Sequence, residues 1–193
     1  MGQTVNLLAM PSKVRILLSP KPCSFYCKVF FCSKGKSMDR EDSFYKDGLR
    51  FSCKMCSYCC RGEPGFVYIS RTDLDRFLAE MNLEAGEFIE KYCRWVPYYD
   101  GSEVLCLKET KNNDCIFWNS GCAAYKARPL QCSTYPFWDF IVENKKSWDE
   151  AAQDCPGMNS GGLHSYEEIT EKAAAYRRNR PIKRHEFEQK PVQ

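Results

Sequence analysis

Histidine is scarce in this chain, with two residues in 193, His164 and His185. No Ser-His-Asp constellation and no His-Glu-x-x-His helix can be read from it. Phosphate-binding loops and Gly-x-Gly-x-x-Gly turns are also missing, so no nucleotide chemistry is written in the motifs. No apolar run approaches the roughly 20 residues that a membrane-spanning helix needs. Internal repeats and low-complexity tracts are absent. Acidic residues are missing from residues 1–37, which carry Lys13, Arg15, Lys21, Lys28, Lys34 and Lys36. The remainder holds 22 of the 28 basic groups against all 25 acidic ones, so the body is mildly acidic. That balance leaves no broad basic surface for nucleic acid.

What is present is cysteine. The chain has 13, an odd number that cannot pair fully within one molecule. Hydrophobic residues at 44% and aromatics at 14% imply a packed core rather than a disulfide-stapled miniature or a disordered chain.

Val14 to Leu18 is a short apolar run, but Pro11, Pro20 and Pro22 interrupt it and no small-residue cleavage site follows. Asn6 stands where a myristoylation signal requires Ser or Thr. With no export signal read, the cytoplasm is the expected location. Cys23, Cys27 and Cys32 have spacings that could ligate metal, yet Phe25, Tyr26, Phe30 and Phe31 suit a plain apolar reading equally. Composition changes sharply at Met38. The expectation is a basic tail over 1–37, disordered or lying upstream of a true start at Met38. A cysteine-cluster domain then occupies 38–178, followed by a polar tail over 179–193 whose last dozen residues are expected to fray.

Within the body, 38–52 reads as an acidic lead-in and Phe66 to Ile69 as a short strand. Ser70 with Asp73 resembles a helix N-cap, and Leu74, Phe77, Leu78 and Met81 predict a helix over 71–82. A second short helix follows over 84–93. Trp95 to Tyr99 and Glu103 to Lys108, joined through Asp100-Gly101, predict a β-hairpin. Cys115 to Trp118 reads as a strand, and Pro129 forbids a long helix around Cys132. Tyr135 to Trp138 and Phe140 to Val142 read as extended, and Asp149 to Gln153 as a helical turn. Ser165-Tyr-Glu-Glu168 is a capping box that opens a helix to about Arg178. The fold class is α+β: a small irregular single domain with short strands and a few helices, organised around a cysteine metal cluster.

The strongest signal is Cys53-x2-Cys56-x2-Cys59-Cys60. Four thiols in eight residues cannot pair among themselves without severe strain. A Cys-x2-Cys knuckle instead aims two sulfurs at one ion. Cys-x2-Cys-x2-Cys also resembles the first ligands of a bacterial ferredoxin cluster, whose last ligand precedes proline, as Cys155 precedes Pro156. Downstream lie Cys115, Cys122, Cys132 and Cys155, giving eight candidate ligands, enough for two four-thiolate sites. Buried free cysteine acting as a small hydrophobe is the alternative, and it is the preferred reading for Cys93 and Cys106. Both histidines read as surface residues.

Cys53 to Cys60, Cys115 to Cys122, Tyr125-Lys-Ala-Arg-Pro-Leu-Gln-Cys132, Tyr135-Pro-Phe-Trp138 and Cys155-Pro-Gly157 together resemble the YkgJ-type cysteine cluster family, also described as the CxxCxxCC zinc- or iron-chelating domain. The likeness covers about residues 50–160. It implies metal ligation by Cys53, Cys56, Cys59, Cys60, Cys115, Cys122, Cys132 and Cys155, with zinc, iron or an iron–sulfur cluster as cofactor. A similar cysteine motif in flagellin lysine methylases keeps an iron–sulfur, redox or methyl-transfer role as the alternative to a structural or metal-handling module. Lys54, Arg61, Lys126 and Arg128 flank the thiols and could offset thiolate charge. Arg128 is the strongest of these, because Pro129 fixes the backbone behind it. Tyr135, Phe137 and Trp138 are candidate walls of the site. A metal ion is the one partner the sequence names; no protein partner is read from it.

Overall fold

The computed structural model describes residues 40–62 and 64–189. The expectations for 1–37, including Cys23, Cys27 and Cys32, and for Met38 lie outside the described residues. The fold is a small single α+β domain with two two-stranded antiparallel sheets.

Helix α1, Arg71–Met81, starts where the cap predicts. The Ser70 side chain accepts from the Asp73 N–H and the Asp73 carboxylate accepts from the Ser70 N–H, satisfying two of the orphan donors of the first turn. Asn82 ends α1 in the left-handed region, its N–H bonded to the Leu78 carbonyl. Helix α2, Ala85–Tyr92, runs straight into strand β2, Cys93–Pro97, which pairs with β3, Glu103–Leu107. Register runs from Cys93 opposite Leu107 to Pro97 opposite Glu103, and Gly101 takes a φ of 82° in the connecting turn. Val67 to Ile69 lies beside β3: the Ile69 N–H donates to Leu105 and the Leu107 N–H to Val67.

Around this hairpin, Ile69, Leu74, Phe77, Phe88, Leu105 and Phe117 form one core. Phe77 stacks on Phe117 with centroids 5.1 Å apart. Each such fully buried side chain contributes about 1.5–3 kcal/mol. A second core holds Phe137, Trp138, Ile141, Trp148 and Ile169. It packs α4, Lys145–Asp154, and α5, Tyr166–Arg178, against the chain after α3, Leu130–Thr134. Cys132, on α3, packs against both cores.

Several expectations are corrected. The acidic lead-in contains strand β1, Leu49–Phe51, paired with β4, Met158–His164, more than 100 residues away. Tyr135 is extended, but the aromatic run through Val142 folds into buried turns, with the Phe137 N–H donating to Thr134 and the Ile141 and Val142 N–H groups to Trp138. An apolar run long enough for a strand is buried here by two successive turns instead. Cys115 to Trp118 makes only isolated bridges, Glu109 to Cys115 and Trp118 to Cys122. Asn144 caps α4 through Ser147, extending that helix well beyond the expected single turn. The chain after Arg178 does not fray at once: Ile182 is buried, Pro181 and Lys183 bridge to Ser70 and Val104, and α6 follows over Arg184–Gln189.

Candidate metal centre

Pairing of β1 with β4 places two distant cysteine segments side by side. Phe51 opposes Met158, and the Ser52 N–H donates to the Gly157 carbonyl at 3.1 Å. Cys53 therefore leaves β1 beside Cys155, which leads into β4. The Cys53–Cys60 loop then turns tightly, with Met55 and Ser57 both at positive φ, 50° and 64°, and closes in a 3-10 turn over Tyr58–Cys60. Two contacts tie it down: the Cys115 N–H donates to the Cys60 carbonyl at 2.7 Å, and the Tyr58 hydroxyl donates to Asp154 at 3.0 Å.

A cavity of about 120 Å³ lies between these segments. Cys53, Cys56, Cys59, Cys60, Cys115, Cys122, Cys132 and Cys155 all line it. Cys53 and Cys56 are exposed, and the other six are half-buried. All ten cysteines among the described residues are free thiols. Cys59 and Cys60 bring their Sγ atoms to 3.6 Å. Among the described residues, no three or more His, Cys, Asp or Glu side chains already stand in an ion-holding group.

The electrostatics follow from crowding sulfur in a poorly solvated space. The Cys59 thiol is pushed far up, first by its hydrogen bond with Cys60, then by burial and by the nearby Cys60, Cys132 and Cys53. Burial pushes Cys132 well up, reinforced by Cys115, Cys60 and Cys122. Burial also raises Cys122 and Cys155. Tyr135 is raised by burial and then by Cys155, to which it hydrogen-bonds, and by Cys59. Thiolates here repel one another, and a cation in their midst relieves that repulsion. Soft sulfur donors in this number fit a thiophilic metal such as zinc or iron.

Of the flanking cations, Lys54 and Arg128 line the cavity, with Arg128 lying 4.0 Å over the Tyr125 ring. Arg61 points its charge elsewhere, 4.0 Å over Trp118 and 3.5 Å from Asp114. Lys126 is exposed and off the cavity wall. Of the proposed aromatic walls only Tyr135 touches the cavity, whereas Phe137 and Trp138 belong to the second core. Cys93 and Cys106 are buried among apolar residues of the hairpin. His185 is exposed, but His164 is half-buried, its Nε2 3.1 Å from the Phe51 carbonyl and its ring 4.9 Å from Phe137. Sequence reasoning missed Met55, Tyr58, Tyr125 and Asp154 on the cavity wall. Adjacency to cysteine was the signal for Met55, Tyr58 and Asp154.

A family model described as "CxxCxxCC: Putative zinc- or iron-chelating domain" matches residues 52–156, more than half of the chain. "Uncharacterized protein MJ0661" of Methanocaldococcus jannaschii is 28% identical over 96 residues, which is 48% of each chain, so the match spans about half of that relative's length. No solved structure matches. No helix among the described residues is long and apolar enough to cross a membrane.

Proposed function

The chain belongs to the CxxCxxCC family of zinc- or iron-chelating domains, and from that premise we propose that it is a metal-binding module, structural or metal-handling, whose ligands are Cys53, Cys56, Cys59, Cys60, Cys115, Cys122, Cys132 and Cys155. One observation carries the reading: eight thiols from four separate stretches of chain line a single cavity. Four thiolates saturate a tetrahedral ion and leave no open position for substrate, which favours holding metal over catalysis. Arg128, on the cavity wall, offsets the negative charge of such a tetrathiolate. The bound metal supplies cross-linking of loops that have little core of their own. The ten free thiols among the described residues suit a reducing compartment, so we place the protein in the cytoplasm.

A specific observation favours an iron–sulfur centre as the second reading, with a redox or methyl-transfer role. The cavity exceeds several-fold the roughly 10–15 Å³ that one water-sized occupant needs.

Anaerobic purification followed by metal analysis and visible absorption tests both. Colourless protein with zinc supports the structural module, and brown protein with iron and acid-labile sulfide supports the cluster. Protein that takes up neither metal from solution sinks both readings.

A further inference from the structure

We propose that Asp73 and Gln131 are positioning residues of the metal centre, holding Cys132 in place as a rigid ligand before metal arrives. The inference rests on the reading of Cys132 as a ligand. Neither residue lines the cavity, and both are almost wholly buried, Asp73 at 0% and Gln131 at 3% exposure. A carboxylate and an amide placed that deep are costly unless every polar atom finds a partner.

Asp73 ties three elements together. Its Oδ2 accepts from the Ser70 N–H at 3.1 Å, the Ser70 hydroxyl at 2.7 Å and Asn179 Nδ2 at 3.3 Å. Its Oδ1 accepts from the Arg76 guanidinium and from the Leu130 N–H, the latter at 2.7 Å. The same carboxylate therefore caps α1, receives the C-cap residue of α5, and satisfies the first backbone donor of α3. Capping α1 alone needs only the Ser70 exchange. The bond to Leu130, 57 residues away, does something further: it fixes the start of the five-residue helix that carries Cys132.

Gln131, the next residue, adds a second tie. Its Nε2 donates to the Phe66 carbonyl at 2.9 Å, and its Oε1 accepts from the Tyr68 N–H at 3.1 Å. The amide thus pairs with the strand-like Phe66–Tyr68 segment as a neighbouring backbone would. Its own carbonyl accepts from Trp138 Nε1 at 3.0 Å. Glutamate lacks the donor and methionine lacks both functions, so this geometry requires an amide. The two residues that precede Cys132, Leu130 and Gln131, are bonded to other elements, whereas Cys53 and Cys56 stand on an exposed loop. The thiols thus differ in setting: Cys132 follows two residues anchored to other elements, and Cys53 and Cys56 are exposed.

The test uses Co(II) as the metal probe on the full chain, with Asp73→Asn, Gln131→Met, Cys132→Ser and Ser165→Ala. Ser165→Ala removes an equivalent capping box, on α5, away from the cavity. The readouts are Co(II) affinity by chelator competition, the thiolate-to-Co(II) absorption spectrum, and folding by circular dichroism. Asp73→Asn and Gln131→Met should bind Co(II) about 10–100-fold more weakly, the range for lost outer-shell partners. Their spectra should shift toward that of Cys132→Ser. Ser165→Ala should keep wild-type affinity and spectrum while losing thermal stability. Folded variants with wild-type affinity and spectrum overturn the proposal. Should Asp73→Asn fail to fold, Gln131→Met decides, since it buries no new charge. Wild-type protein that binds no Co(II) removes the metal reading itself, whereas normal wild-type binding with unaffected variants removes only the positioning role.

Discussion

Ser52 donates its backbone N–H to the Gly157 carbonyl at 3.1 Å, and this bond joins the two segments that carry Cys53 and Cys155. The contact is close enough to exclude a side chain. A Cβ at Gly157 would stand 2.5 Å from the Ser52 carbonyl oxygen, and one at Gly161 would stand 2.1 Å from the Ser52 hydroxyl. The juxtaposition of the first and last of the eight cavity cysteines therefore depends on two glycines that ligate nothing.

Gly157→Ala should push β4 off β1 and cost about 1–3 kcal/mol, the range for overpacking. It should also lower bound metal per chain, because Cys155 moves with β4. Thermal unfolding and metal analysis of the purified variant check this. Unchanged metal content would show that the β1–β4 contact does not set the Cys155 position.

Removing a cavity cysteine should differ in kind from removing a core cysteine. Cys56→Ser should lose metal and cost far more than the roughly 1 kcal/mol typical of a point change, since metal binding is coupled to folding. Cys93→Ser should keep its metal and cost about 1–3 kcal/mol through an unsatisfied hydroxyl in a packed site. Cys27→Ser, outside the described residues, is expected from its place in the basic tail to change neither. Metal per chain and thermal midpoint for the three variants decide.

Thiol reactivity should follow burial. Cys93 and Cys106 are pushed up from 9.0 to about 12 by burial, so both stay protonated in the folded chain well above neutrality. Metal-free protein treated with a maleimide at pH 8 should be modified at the exposed Cys53 and Cys56 first, and at Cys93 and Cys106 only on unfolding. The same shift makes stability pH-dependent. Unfolded thiols ionise near pH 9 while the folded ones hold their protons, so this contribution is complete below pH 9 and is lost as pH rises toward 12. Cys106→Ala should flatten that alkaline decline. Peptide mapping that finds Cys106 labelled as fast as Cys53 in folded protein would contradict the assignment.

Arg128→Ala should leave the fold nearly intact, because its partner Tyr125 is 39% exposed and such a cation–π contact is worth only about 0.5–1 kcal/mol. It should nevertheless weaken metal retention against a chelator, since it removes a positive charge from the cavity wall. Equal chelator resistance in the variant and the parent protein would place Arg128 outside the centre.

Local chemistry was legible in the sequence wherever a few neighbouring residues decide the outcome. The Ser70 and Ser165 caps, the apolar spacing of Leu74 and Phe77, and the Asp100-Gly101 turn locate α1, α5 and the hairpin. Cysteine spacing named all eight thiols that line the cavity. Four of them crowd one short loop, where pairing among themselves would be strained.

Only the tertiary structure decided what brings those thiols together. Strand β4 reads Met-Asn-Ser-Gly-Gly-Leu-His, with neither alternation nor β-branched residues, and its partner β1 is three residues long. Neither carries a local strand signal. Gly157 and Gly161 leave room for the Ser52 carbonyl and the Ser52 side chain, respectively, to approach. Tyr135 to Val142 had the apolar content of a strand, but the second core buries it as turns. Asp73 was legible as a cap for its own helix and not as an anchor for Leu130, 57 residues on. Capping and periodicity are set over one or two turns of chain and are encoded by nearby residues. Strand partners and buried carboxylate contacts are set by which distant surfaces meet, and that depends on the packing of the whole domain.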